Sequence, residues 1–156
     1  MPEAVIADTS SLIALEKVNL LPILCKIYSE VVIPESGINE FGNITLPCLL
    51  IKRVESSLSK LLIMDLNLGQ GEAEVITLAN QSGLKVIIDD SKARRIAENM
   101  GLKITGTIGV LIKAEKLGLI ESAYDKAKDL REKGFYVSDE LLGDISRFKD
   151  KQMSNR

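Results

Sequence analysis

Val86-Ile87-Ile88-Asp89-Asp90-Ser91-Lys92-Ala93-Arg94-Arg95-Ile96-Ala97 is the stretch that decides the fold. Its first three residues are β-branched and apolar, as in a strand buried on both faces of a sheet. Two acids close that run, and a helical pattern starts directly after them. The chain opens on the same device: Ala4-Val5-Ile6-Ala7 is followed by Asp8-Thr9-Ser10. A parallel α/β fold gathers the C-terminal ends of its strands at one crevice, so acids far apart in sequence can meet there.

Between and beyond these two runs, short apolar segments alternate with amphipathic ones, the pattern of βαβ units around a parallel sheet. Val31-Val32-Ile33, stopped by Pro34, reads as a strand, as do Leu61-Leu62-Ile63-Met64 and a short Lys103-Ile104-Thr105. Helices are expected at about 11–28, 34–42, 47–58, 70–82 and 91–100. Gly83, Gly101 and Gly118 each follow a periodic apolar segment, as C-terminal helix caps do. Beyond Gly106 the pattern is helical near 107–117, 120–133 and 138–149. No linker, low-complexity stretch or repeat divides the chain. Residues 1–156 therefore read as one domain, with 119–156 a more exposed helical extension.

None of the 156 residues is a histidine, which removes every mechanism built on imidazole. Hydrophobic residues at 46% and charged residues at 27% strike a soluble, globular balance. With three Phe, three Tyr and no Trp, the core must rest on Leu, Ile, Val and Ala. A net charge of −2 argues against a whole-surface electrostatic grip on nucleic acid, while leaving room for a local basic groove. Cys25 and Cys48 lack metal or redox spacing and are expected to be buried thiols in a reducing cytosol. With neither a basic leader nor a membrane-length apolar run, the expected location is cytoplasmic.

The acids carry the chemistry. Asp8 projects from a strand end, where it either binds metal or caps the following helix; Thr9 and Ser10 could already serve as caps. Glu72 shares a helical stripe with Val75, Ile76 and Ala79, so it heads the inward face, and Glu74 falls toward the stripe's edge. Of Asp89 and Asp90, one serves as helix cap and the other is free to face the crevice. Two adjacent acids repel, a cost that a cation relieves. Glu40 taken alone reads as a solvated helix residue. Lys92, Arg94 and Arg95 form an exposed helix face that, beside an acidic site, could hold phosphate oxygens. Other chemistries fit worse. Gly69-Gln70-Gly71 makes no phosphate-cradling loop, Asp8-Thr9-Ser10 is not the double-Asp signature of aspartyl-phosphate hydrolases, and neither cysteine has a histidine partner.

In their order, four segments resemble the PIN-domain family. They are Asp8-Thr9-Ser10 after a strand, a helix from Pro34 to Glu40, Leu68-Gly69-Gln70-Gly71-Glu72-Ala73-Glu74, and Ile87-Ile88-Asp89-Asp90. The run from Asp89-Asp90-Ser91-Lys92-Ala93-Arg94 through Gly101-Leu102 to Thr105-Gly106-Thr107-Ile108-Gly109-Val110-Leu111 looks like a prokaryotic subgroup first catalogued as a domain of unknown function. The resemblance covers residues 4 to about 120.

The resemblance implies a three-layer α/β/α sandwich with a central parallel sheet. It also implies Mg²⁺- or Mn²⁺-dependent cleavage of RNA, often by the VapC-type toxin of a toxin–antitoxin pair. By position, Asp8 matches the first-strand acid, Glu40 the second-helix acid, Glu72 the third and Asp90 the fourth. Ser10 matches the small polar companion of the first acid. The implied metal ligands are Asp8, Asp90 and Glu72, with Glu40 orienting water or completing a second metal site and Asp89 the alternative to Asp90. A homodimer and an antitoxin partner that occludes the groove are further implications. Two positions depart from the pattern. The third acid is Glu rather than Asp, and Ile88-Asp89 stand where many relatives carry Thr and a polar residue. The competing readings are a catalytically inactive PIN-fold binding module and an unrelated metal-dependent phosphatase.

Overall fold

Five short strands run parallel in the order β3-β2-β1-β4-β5. They are β1 (Val5–Ala7), β2 (Val31–Pro34), β3 (Leu49–Lys52), β4 (Lys85–Ile87) and β5 (Ile104–Thr105). The structure is a computed structural model; it describes residues 3–41 and 45–154, with the side chains of 39–41 and 148–154 outside that description. β1 pairs with β2 through Val5↔Val31 and with β4 through Ala7↔Ile87. The chain winds outward from β1 to β2 and β3, then returns to the other side of β1 for β4 and β5. The strand order thus reverses between β1 and β4, and the crevice beyond their C-terminal ends is where such sheets hold ligands.

Residue alternation along the strands divides the core in two. Val5, Ala7, Val31, Ile33 and Ile87 face one layer, built from α1 (Thr9–Lys17), α2 (Leu24–Ile27), α7 (Thr107–Lys116), α8 (Ala123–Glu132) and α9 (Asp139–Ser154). Ile6, Val32, Val86 and Ile88 face the other, built from α4 (Ser57–Met64), α5 (Gln70–Ser82) and α6 (Ser91–Asn99). Helices on both faces of an all-parallel sheet make the three-layer α/β/α sandwich that the sequence led us to expect. α8 and α9 belong to the first core layer, burying Ala123, Ala127, Leu130, Leu142 and Ile145.

Three expectations give way. Residues 61–64 form the end of α4, not a strand. Ser56 caps that helix by accepting from Leu58 N–H at 3.2 Å, and Leu62 is buried while Leu61 and Met64 are exposed, so the apolar run follows a helical period. The missing strand is Leu49–Lys52, inside a stretch read as helix at 47–58; it pairs with β2 as an edge strand and leaves Leu50 and Ile51 exposed. The helix expected over 11–28 breaks after Lys17 because Asn19 takes a left-handed φ of 59°, and a 3₁₀ turn at Leu21–Ile23 carries Pro22 before α2.

The cysteines are also not free thiols. α2 and the entry to β3 bring Cys25 and Cys48 to a Cα separation of 5.6 Å, and the two are joined in a disulfide.

Candidate active site

Asp8 sits one residue past β1, its N–H donating to the Ile87 carbonyl at 3.1 Å, so the β1–β4 pairing holds its backbone. It occupies the N-cap position of α1, yet its side chain makes no cap hydrogen bond. The carboxylate instead accepts from Ser10 Oγ at 3.2 Å. Only 8% of the residue is exposed. Burial, and next the charge of Glu72, push the Asp8 carboxyl up to about 6; Ser10 opposes the rise and Asp89 adds to it. A buried acid without capping work, set among other acids, is what the helix-cap reading does not account for.

Glu72 lies in the first turn of α5, where a carboxylate meets the positive end of the helix dipole. Its Oε2 folds back over Gly69, so closely that a Cβ at Gly69 would collide with it. Gly71 brings the same turn against Asp8: a Cβ there would lie 3.6 Å from Asp8 Oδ1. Asp8, Ser10, Ile13, Gly69 and Glu72 line an open cavity of about 240 Å³ between α1 and α5.

The Asp89–Asp90 pair divides its work. Asp90 caps α6, its Oδ2 accepting from Ala93 N–H at 2.9 Å, and it is exposed. Asp89 is half-buried and turned toward the crevice. Its Oδ2 accepts from Ser11 Oγ at 3.0 Å and Thr107 Oγ1 at 2.6 Å, and its Oδ1 accepts from Thr107 N–H at 2.8 Å. Both hydroxyl donors are fully buried. Asp89 therefore ties the first turns of α1 and α7 to the end of β4. Glu40 lies on α3 (Glu35–Phe41), and its side chain is outside the described residues.

Glu74 departs from its expected place at the edge of the stripe. It is buried, with Ser36 Oγ donating to its Oε2 and Gln70 Nε2 to its Oε1 at 3.2 Å. The bond to Ser36 clasps α5 to α3, so α3 covers the edge of the stripe on which Glu74 lies. Gly37 completes the joint: a Cβ there would collide with Thr9 Oγ1, so the glycine lets α3 pack beside the Asp8 turn. Of the three cations on α6, Arg94 is half-buried and donates to the Ile88 carbonyl at 2.8 Å, Lys92 donates to the Asn67 carbonyl at 3.3 Å, and Arg95 is exposed. Ser11, Thr107 and Glu74 were not singled out by sequence. Thr107 carried a signal in following Gly106 at a helix start, while Ser11 and Glu74 had none beyond their place on amphipathic helices.

A family model described as a PIN domain matches residues 4–150. The chain belongs to the PIN-domain family. No curated protein and no solved structure gives a match. Its fold is accordingly nuclease-like, and PIN domains typically work with divalent metals. Among the described residues of this PIN domain, no three His, Cys, Asp or Glu side chains converge as a metal-binding group. The chemistry nevertheless suits a hard cation. The facing groups are carboxylate oxygens, Mg²⁺ is commonly held by only one or two carboxylates plus waters, and the raised Asp8 pKa records burial first and the charge of Glu72 second, both of which a cation relieves. No helix among the described residues is long and apolar enough to cross a membrane.

Proposed function

We infer that this PIN domain is an Mg²⁺- or Mn²⁺-dependent endoribonuclease. The observation that carries the reading is Asp8: a buried carboxylate at the strand-order reversal, unused as a helix cap and crowded by Glu72 and Asp89. Asp8 and Glu72 would hold the cation, with Asp89 or Asp90 as the further acid. Asp89 is favoured because its charge acts on the Asp8 carboxyl, although both of its oxygens already accept hydrogen bonds. Ser10 orients the Asp8 carboxylate through its hydroxyl. Arg95, with Lys92 beside it, offers cations to the phosphates flanking the cleaved bond. When bound, the cation supplies charge neutralisation at the phosphoryl oxygens and an acidified water, which removes the need for the histidine that this chain lacks.

The test is cleavage of short single-stranded RNAs with Mn²⁺ and with EDTA, run beside Asp8→Asn. Cuts that require metal and vanish in Asp8→Asn are expected; cuts that persist in the variant would overturn the assignment. The family resemblance extends the proposal to the toxin of a toxin–antitoxin pair, acting as a homodimer whose groove an antitoxin covers. Growth arrest on induction, absent with Asp8→Asn, is the outcome that reading requires.

One observation favours a catalytically inactive binding module instead: both Asp89 oxygens are engaged by Ser11 and Thr107. A dead site would show no rise in melting temperature with Mn²⁺ that Asp8→Asn abolishes.

A further inference from the structure

Beside Asp89, on the flank away from Glu72, lies a second and larger hollow. Its volume is about 590 Å³, within the range of small-ligand pockets. The floor is apolar, made by Ile104 at the start of the two-residue β5, Ile108 and Ile112 on α7, and Leu141 on α9. Its outer wall is the connector between α8 and α9, where Phe135 is half-buried and Tyr136 stands 85% exposed. Arg94 and Asp89 form the wall toward the acidic site. Gly106 marks the neck between them: a Cβ there would lie 2.9 Å from Asp89 Oδ1 and 3.0 Å from Arg94 Nη1. An apolar slot, an exposed aromatic ring and a guanidinium on one rim are the parts from which single-strand binders build base-stacking platforms.

We propose that this hollow receives one nucleobase of the RNA strand, stacked on Tyr136, next to the bond cleaved at the acidic site. The inference rests on the nuclease reading and adds to it the contact that would give the enzyme base preference. A base fits better than an apolar peptide side chain for two reasons. Asp89 lines the hollow and stands close enough for its charge to act on Asp8, so the hollow and the acidic cavity are neighbours at the same end of the sheet. Arg94 also sets a cation on the wall toward the acidic site, where the phosphate between the base and that site would pass. Tyr136 makes no hydrogen bond among the described residues and is too exposed to support the fold, so its removal tests binding without disturbing the core.

The experiment measures anisotropy of a labelled RNA hexamer titrated with the Asp8→Asn protein, which cannot consume the probe, with Tyr136 intact, as Tyr136→Ala and as Tyr136→Phe. A second probe carries one abasic position moved along the strand. Tyr136→Ala is expected to weaken the intact RNA by about 5- to 100-fold and Tyr136→Phe to restore most of that. At one abasic position the Tyr136→Ala loss should vanish, because there is no base left to stack. Equal affinity of Tyr136→Ala and the parent would overturn the base pocket, while the nuclease reading would stand or fall separately on cleavage by the unmodified protein. Displacement of the RNA by a short Leu/Phe peptide but not by nucleoside monophosphates would assign the hollow to a protein partner and overturn it as well. No binding of any RNA by the parent would overturn the base pocket as well, with the nuclease reading still decided by cleavage.

Discussion

Asp8 is the residue at which sequence, burial and charge converge. Folded, its carboxyl keeps its proton up to about pH 6, against an ordinary 3.8. Between those values the folded state binds more protons than the unfolded one. Stability in metal-free solution should therefore fall as pH rises from about 4 to about 6 and remain lowered above that, by roughly 2 to 3 kcal/mol. Asp8→Asn removes the penalty. In EDTA at about pH 7.5 the variant is expected to melt several degrees above the unmodified protein, with the gap closing near pH 4. Identical melting curves at both pH values would contradict the crowded, buried state of this acid. Cleavage should show the opposite trend, falling in acid as protons compete with the cation for this carboxylate, and holding to lower pH as the metal concentration is raised. The position of Asp8 was legible because a strand end leaves a carboxylate few places to point. That of Glu74 was not, since its burial depends on α3, which packs on α5 from elsewhere in the chain.

Elements explain which of the paired acids does which work. Asp90→Ala should cost about 0.5 to 2 kcal/mol through the lost α6 cap, while cleavage per folded molecule persists. Asp89→Asn should lose most of the cleavage per folded molecule and also some stability, because its amide nitrogen cannot accept from Ser11 and Thr107 as Oδ2 does. The reverse pattern, with catalysis lost only in Asp90→Ala, would assign the fourth-acid role to Asp90, as the resemblance implies. At this scale the sequence was readable where strands are buried on both faces, as at Val31–Ile33 and Val86–Ile88. It misled at the sheet edge. Leu49–Lys52 is a half-covered strand and Leu61–Met64 a half-covered helix turn, and runs of three or four apolar residues carry too little periodicity to separate the two. Only the pairing with β2 makes the first a strand.

For the whole molecule, the Cys25–Cys48 bond closes a loop with a sequence separation of 23 that contains β2 and α3. Chain-entropy arguments give such a loop about 3 kcal/mol of stabilisation. Cys48→Ser or dithiothreitol should therefore lower the melting temperature clearly, and an unchanged value would mean that the bridge contributes little. The bridge was invisible in sequence because nothing in the spacing of two cysteines states that α2 and the β3 entry will be neighbours.

The β1–β4 pairing has one more consequence, in time rather than in space. Ser11 and Asp89 meet across 78 positions of sequence, and Asp8 is docked by the same pairing. Parallel strands joined by so long a crossover come together late, after the local helices have formed. Until β4 docks, Asp8 lacks the Ile87 carbonyl that holds its backbone and Ser11 lacks Asp89, so the site is assembled only in the last, non-local step of folding.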